Sequence, residues 1–117
     1  MLQIGIVDDS DMLRLAIRNV LEAGGYQITL EAGDSEELFQ KLQTHQPQVL
    51  LLDVFFPTEN GLDILIRLRK HYPQIKVFMV TGLKQESIAQ EAKRLGASGV
   101  LYKPFDTDEL FNVLKQL

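Results

Sequence analysis

Apolar residues recur along this chain in two alternating rhythms. Short unbroken runs, Ile4-Gly5-Ile6-Val7, Val49-Leu50-Leu51-Leu52, Val77-Phe78-Met79-Val80 and Val100-Leu101-Tyr102, read as strands, with the all-apolar Val49 to Leu52 a central one covered on both faces. Between them the apolar positions fall at helical spacing: Leu13, Ala16, Ile17, Val20 and Leu21 before Gly24-Gly25, Leu38 and Leu42 before Pro47, Leu62, Leu65 and Leu68 before Pro73. Ile88, Ala89, Ala92 and Leu95 before Gly96, and Leu110, Val113, Leu114 and Leu117 at the end, complete the helical set. Tyr26, Ile28, Leu30 and Ala32 alternate with Gln27, Thr29 and Glu31, which predicts a strand with one wetter face at the edge of a sheet. Punctuation agrees with the rhythm. Asp11 is positioned to cap the first helix, Asp34 with Glu37 and Asp106 with Glu109 have capping-box spacing, and Gly82 is expected to turn the backbone after Thr81.

Strictly alternating strands and helices, five of each, predict one α/β domain over residues 1–117. Right-handed crossovers put helices on both faces of a parallel sheet, and the flavodoxin-like order 2-1-3-4-5 suits this number of units and leaves the wetter second strand at an edge. Composition narrows the class further. No apolar run approaches the length of a bilayer, and strand-like sequence begins within three residues of Met1, so neither a membrane span nor a secretory leader is expected and a cytoplasmic location follows. The absence of cysteine excludes disulfide and thiolate chemistry. A formal charge of −4 argues against this domain gripping nucleic acid.

Each buried strand runs out into a polar residue: Asp8 and Asp9, Asp53, Thr81 and Lys103. In open parallel sheets the carboxyl ends of the strands share one edge, and sites are built there. Two unit charges about 4 Å apart repel by roughly 4 kcal/mol at an effective dielectric near 20, so three carboxylates meeting at that edge call for a cation. Oxygen donors without nearby His or Cys select a hard divalent ion, and Mg²⁺ suits a few carboxylates that leave positions to water or phosphate oxygens. An Asp carboxylate beside such an ion, a lysine and a hydroxyl has what attack on a phosphoryl group requires.

Five motifs in order now resemble one family. Val7-Asp8-Asp9-Ser10, Leu52-Asp53-Val54-Phe55-Phe56-Pro57 with Gly61 eight residues after Asp53, Thr81-Gly82, Gly96-Ala97-Ser98-Gly99 and Lys103-Pro104-Phe105 look like the receiver domain of bacterial two-component response regulators, across essentially the whole chain. The resemblance implies that Asp53 is the phosphoacceptor. It implies that Asp9, Asp53 and the backbone carbonyl of Phe55 ligate Mg²⁺, with Asp8 acting through metal-bound water. Thr81 and Lys103 would hold phosphoryl oxygens, the amides of Phe55 and Gly82 would complete the cradle, and the bond before Pro104 would be cis. The implied donor is a phosphohistidine on a histidine kinase or phosphotransfer protein. The implied output surface spans the fourth helix, fifth strand and fifth helix, roughly Lys84 to Leu117, where an output partner or a second copy would dock. Such a domain is a signalling switch that catalyses its own phosphotransfer and dephosphorylation, not an enzyme acting on other substrates.

Two departures from the family pattern carry consequences. The aromatic switch expected three residues before the lysine is replaced by Val100, and Tyr102 sits two places later on the same strand face, about 6 to 7 Å along, too far to be a simple substitute. The positions two beyond Asp53 and Thr81 hold Phe55 and Leu83, both bulky and apolar, which predicts hindered water attack and slow loss of phosphate. Phe55-Phe56 reads otherwise as packing, His45 and His71 as surface residues, and Arg67, Arg69 and Lys70 as a solvated helix face. Competing functions fit less well. An Asp-nucleophile phosphatase lacks its acid where Phe55 stands, and a flavin carrier needs a phosphate loop where Asp8 and Asp9 stand. A receiver-like interaction module that takes no phosphate is the remaining alternative.

Overall fold

The computed structural model describes residues 2–117, in which ten elements alternate strictly. They are β1 (Gln3–Val7), α1 (Asp11–Ala23), β2 (Gln27–Ala32), α2 (Ser35–Leu42), β3 (Val49–Asp53), α3 (Gly61–His71), β4 (Lys76–Thr81), α4 (Glu86–Arg94), β5 (Gly99–Tyr102) and α5 (Thr107–Lys115). The strands are parallel and lie in the order β2-β1-β3-β4-β5. This is the doubly wound, flavodoxin-like arrangement that the alternation of patterns predicts.

Period-two geometry sends alternate strand residues to opposite faces, and each face has its own core. Leu50, Leu52, Val77 and Met79 face Leu38 and Leu42 of α2, Ile64, Leu65 and Leu68 of α3 and Ala92 of α4. Ile4, Ile6, Leu51, Phe78, Val80 and Leu101 face Ile17 and Leu21 of α1 and Leu110 and Leu114 of α5. Every residue of β3 is buried, as a central strand covered on both faces requires. Truncating Leu51 or Leu52 to alanine would cost about 2–5 kcal/mol, because such a site collapses only in part. β2 at the edge buries only Ile28, Leu30 and Ala32.

Helix starts depart from the sequence reading in two places. Ser10, not Asp11, is the N-cap of α1, and its hydroxyl accepts from the Leu13 amide at 3.2 Å. Asp11 is instead the first helical residue, where its charge favours the positive end of the helix. Asp34 does cap α2, accepting from the Glu37 amide at 2.8 Å, but Glu37 reaches back one residue further, to the amide of Gly33 at 2.7 Å. The capping box is therefore complete only at α5, between Asp106 and Glu109. At the helix ends, Gly25 and Gly96 take φ of +90° and +100°, the left-handed conformation that glycine adopts without penalty.

Register levels the strand ends. Val7 pairs with Leu52, Asp53 with Val80, and Thr81 with Tyr102, so Asp8, Asp53, Thr81 and Lys103 emerge together at one edge of the sheet.

Candidate functional site

Asp8, Asp53 and Thr81 are the buried polar residues of the described chain, and all three lie at that edge. Lys103 follows β5 and runs its ammonium between the two carboxylates, 3.0 Å from Asp8 Oδ2 and 3.3 Å from Asp53 Oδ2. Asp9, exposed, joins them: Asp8, Asp9 and Asp53 each offer a carboxylate oxygen, and these atoms lie within 4.8 Å of one another. Three carboxylates against one ammonium leave the cluster short of positive charge. An all-oxygen donor set this tight fits a hard divalent cation, and the Phe55 carbonyl belongs to the loop directly after Asp53.

The charge imbalance shifts the pKa values of both partners. Burial pushes the Asp53 carboxyl above its usual range and the Asp8 charge adds to this, against the opposing pull of Lys103 and the Phe55 amide. Burial works against the Lys103 charge, yet its hydrogen bond to Asp8 and the charges of both carboxylates outweigh it and hold that pKa above the ordinary lysine value. The peptide bond between Lys103 and Pro104 is cis.

Local backbone bonds hold each group in place. The Asp8 amide donates to Ala32 O at 3.0 Å, and Asp8 Oδ1 accepts from the Ser10 amide at 2.8 Å. The Val54 amide donates to Val80 O at 3.0 Å, while the Lys103 amide donates to Thr81 O at 2.8 Å. Gly61, the first residue of α3, presses against the end of β3 so closely that a Cβ there would overlap the Asp53 carbonyl. Thr81 Oγ1 accepts from the Leu83 amide at 3.1 Å, which leaves its own O–H free to donate.

Several roles expected from the sequence look different in three dimensions. Gly82 does not adopt positive φ, and a Cβ there would meet nothing within 4 Å, so neither conformation nor space demands glycine after Thr81. Phe56 packs on the core as expected, but Phe55, in the loop after β3 and bridged to Asn60, is 46% exposed. Leu83, in the β4–α4 loop, is also 46% exposed. Val100 packs against the core beneath α4, whereas Tyr102 is half-buried with the Lys84 ammonium 5.8 Å from its ring centre. His45 and His71 are exposed and away from the cluster. Arg69 is not a solvated charge: it donates to the carbonyls of Ile75 and Pro73 at 2.7 and 2.8 Å.

Two residues that sequence reasoning missed complete the site's support. Ser10 caps α1 and bonds Asp8. Arg14, its side chain 15% exposed, donates to the main-chain carbonyl of Asp8 and to the Asp11 carboxylate. The available signal was an arginine one turn into a helix, at a position flanked by apolar Leu13 and Leu15.

Comparison with known proteins gives a consistent result. The family model described as the response regulator receiver domain matches residues 4–115. Protein CcdB of Bacillus subtilis is 31% identical over 117 residues, covering 100% of this chain and 98% of that protein. Sporulation initiation phosphotransferase F of the same organism is 32% identical, covering 97% and 91%. Among solved structures, the chemotaxis protein CheY4 of Vibrio cholerae superposes with a TM-score of 0.91 at 30% identity, covering 99% of this chain and 98% of that one.

Proposed function

The chain belongs to the response regulator receiver family of two-component systems, and from that premise we propose that residues 1–117 form a phosphorylation-driven switch whose acceptor is Asp53. The observation that carries this reading is the convergence of Asp8 and Asp53 on Lys103, with Asp9 and Thr81 alongside, at one edge of the sheet.

An Asp53 carboxylate oxygen attacks the phosphorus of a phosphohistidine on a histidine kinase or phosphotransfer protein. The new P–O bond forms as the P–N bond breaks, the imidazole leaves with the electron pair and takes up a proton, and an acyl phosphate remains. Asp53 needs no base, because the reacting carboxylate is already ionised; the domain supplies position and charge. Asp8, Asp9, Asp53 and the Phe55 carbonyl would hold Mg²⁺, which when bound neutralises charge on the phosphoryl oxygens. Lys103, already placed against Asp53, would hold one of those oxygens, and the free O–H of Thr81 another, with the amides of Phe55 and Gly82 beside them.

Thr81 links acceptor to output. It pairs with Tyr102 of β5, its hydroxyl holds the Leu83 amide, and Lys84 lies over the Tyr102 ring, so drawing Thr81 inward displaces the α4–β5–α5 face. That face is the proposed surface for an output partner or a second copy. The switch needs no contact with nucleic acid or membrane, and no helix among the described residues is long and apolar enough to cross a membrane. We place the domain in the cytoplasm, with such kinases' phosphohistidines, as a phosphoacceptor and not an enzyme acting on other substrates.

Intact mass after incubation with acetyl phosphate tests the reading. A gain of one phosphoryl group that needs Mg²⁺ and vanishes in Asp53→Asn is expected. No gain, under conditions that label a control receiver, would instead favour an interaction module that takes no phosphate.

A further inference from the structure

Asp8 has four polar contacts that fix it, and three come from its immediate surroundings: its amide to Ala32, Oδ1 from Ser10 and Oδ2 from Lys103. The fourth reaches in from α1. The main-chain carbonyl of Asp8, at the point where β1 gives way to the loop carrying Asp9, accepts from the guanidinium of Arg14. A second nitrogen of the same guanidinium holds the carboxylate of Asp11, in the first turn of α1. One planar fork thus spans both ends of the β1–α1 loop.

We infer that Arg14 is a positioning residue for the cation site, clamping the Asp8 carbonyl and the Asp11 carboxylate together and so fixing how Asp8 and Asp9 present their carboxylates to Asp53. The inference rests on the reading of that cluster as a divalent-cation site.

The competing explanation is that Arg14 only fastens α1 to β2 through Glu31. Its Nε lies 3.6 Å from Glu31 Oε1, beyond a hydrogen bond, and is buried without a partner. An unpaired buried donor is costly, and it persists where other bonds dictate the orientation of the group. Arg18 supplies the helix–strand tie instead, paired with both Glu31 and Glu22 and without contact to the loop. The fork's aim is therefore the Asp8 carbonyl. Gly33 flanks the same guanidinium: a Cβ there would lie 3.4 Å from Nη1, an ordinary contact.

Charge and position predict opposite signs, which makes the inference testable. Removing a positive charge beside a tricarboxylate cluster, and freeing Asp11 at the same time, tightens cation binding if Arg14 acts only electrostatically. Loss of the clamp weakens it, and removal of residues that orient metal ligands commonly costs about 10- to 100-fold in affinity. The experiment is titration of the unphosphorylated protein with Mg²⁺, followed by calorimetry and by the amide shifts of residues 8–10 and 53–55. Arg14→Met is expected to bind Mg²⁺ about tenfold more weakly than wild type. Arg14→Lys, which keeps the charge and one donor but not the fork, should recover part of the loss. Arg18→Met is the matched control: it loosens the same helix–strand seam and should leave the Mg²⁺ affinity unchanged. Phosphorylation by acetyl phosphate should show the same split, with a raised Mg²⁺ half-saturation and a limiting rate near wild type. Equal or tighter binding by Arg14→Met overturns the inference. If that variant does not fold, Arg14→Lys decides, and an affinity equal to wild type overturns it. Failure of the wild type itself to bind Mg²⁺ would remove the cation site, a different failure from that of Arg14.

Discussion

In the proposed role Asp53 combines two demands that conflict: a carboxylate that would have to be ionised to react sits almost wholly out of water beside the charge of Asp8. Burial first, and Asp8 second, hold its pKa above the unfolded value. A raised carboxyl pKa means that the folded chain binds the proton more tightly than the unfolded chain, so this group favours folding at low pH and that advantage is lost as pH rises through its folded pKa. Above its folded pKa, and without metal, the ionised Asp53 therefore opposes folding. Asp53→Asn, measured by calorimetry at pH 7 with a chelator present, should raise Tm. The gain should shrink as pH is lowered toward the carboxyl range, and a Tm equal to or below wild type at pH 7 would contradict the charge account. Asp8, Asp9, Asp53, Thr81 and Lys103 were legible in the sequence because each ends an apolar run. Arg14 and Ser10 were not, because hydrogen bonds to a main-chain carbonyl or amide leave no periodic trace in side-chain chemistry.

At the scale of elements, α3 is placed by the end of β3 as much as by its apolar face. The Gly61 amide donates to Val54 O at 2.6 Å, and the missing side chain lets the helix start directly against the backbone that carries Asp53. Gly61→Ala puts a methyl group where the Asp53 carbonyl stands, so either α3 or the strand end must shift. Overpacking of this kind costs typically 1–3 kcal/mol, and the urea midpoint should fall accordingly. Because the displaced atoms belong to Asp53, the rate of acetyl phosphate labelling should fall too, by about tenfold for a misplacement well under the ångström that costs roughly a hundredfold. A variant with wild-type stability and labelling would show that the contact is relieved elsewhere. The sequence pointed to Gly61 only through family resemblance; its physical reason is a backbone approach that periodicity cannot express. The same limit explains the helix caps. Ser10 and Asp11 are both good caps by residue type, and which of them starts α1 depends on where the chain leaves β1, a matter of one residue.

For the molecule as a whole, strand order followed from the sequence because alternation of elements, one wet strand and one wholly apolar strand admit few topologies. What the pattern could not give was the shape of the loops beside the site, which in the proposed switch would govern access of water to the phosphoryl group. Phe55 and Leu83, two residues beyond Asp53 and Thr81, stand half-exposed on the two loops that border the acceptor. Water that hydrolyses the acyl phosphate must approach the phosphorus in line with the bond to Asp53 and be oriented as it does so. Neither side chain can hydrogen-bond to that water, and both are bulky enough to hinder its approach from those loops. The phosphorylated wild type should therefore lose its phosphoryl group slowly. Phe55→Asn combined with Leu83→Ala opens the approach and adds a polar group, and should quicken decay by at least about tenfold, a modest part of the roughly 10²- to 10⁴-fold that a well-placed proton-transfer group supplies. Loss of phosphoryl mass after acetyl phosphate is removed by desalting measures both rates. Each single variant should give an intermediate rate if the two side chains act as one screen. A double variant that decays at the wild-type rate would place the control of lifetime elsewhere, in the geometry of Thr81 and Lys103 instead of in access of water.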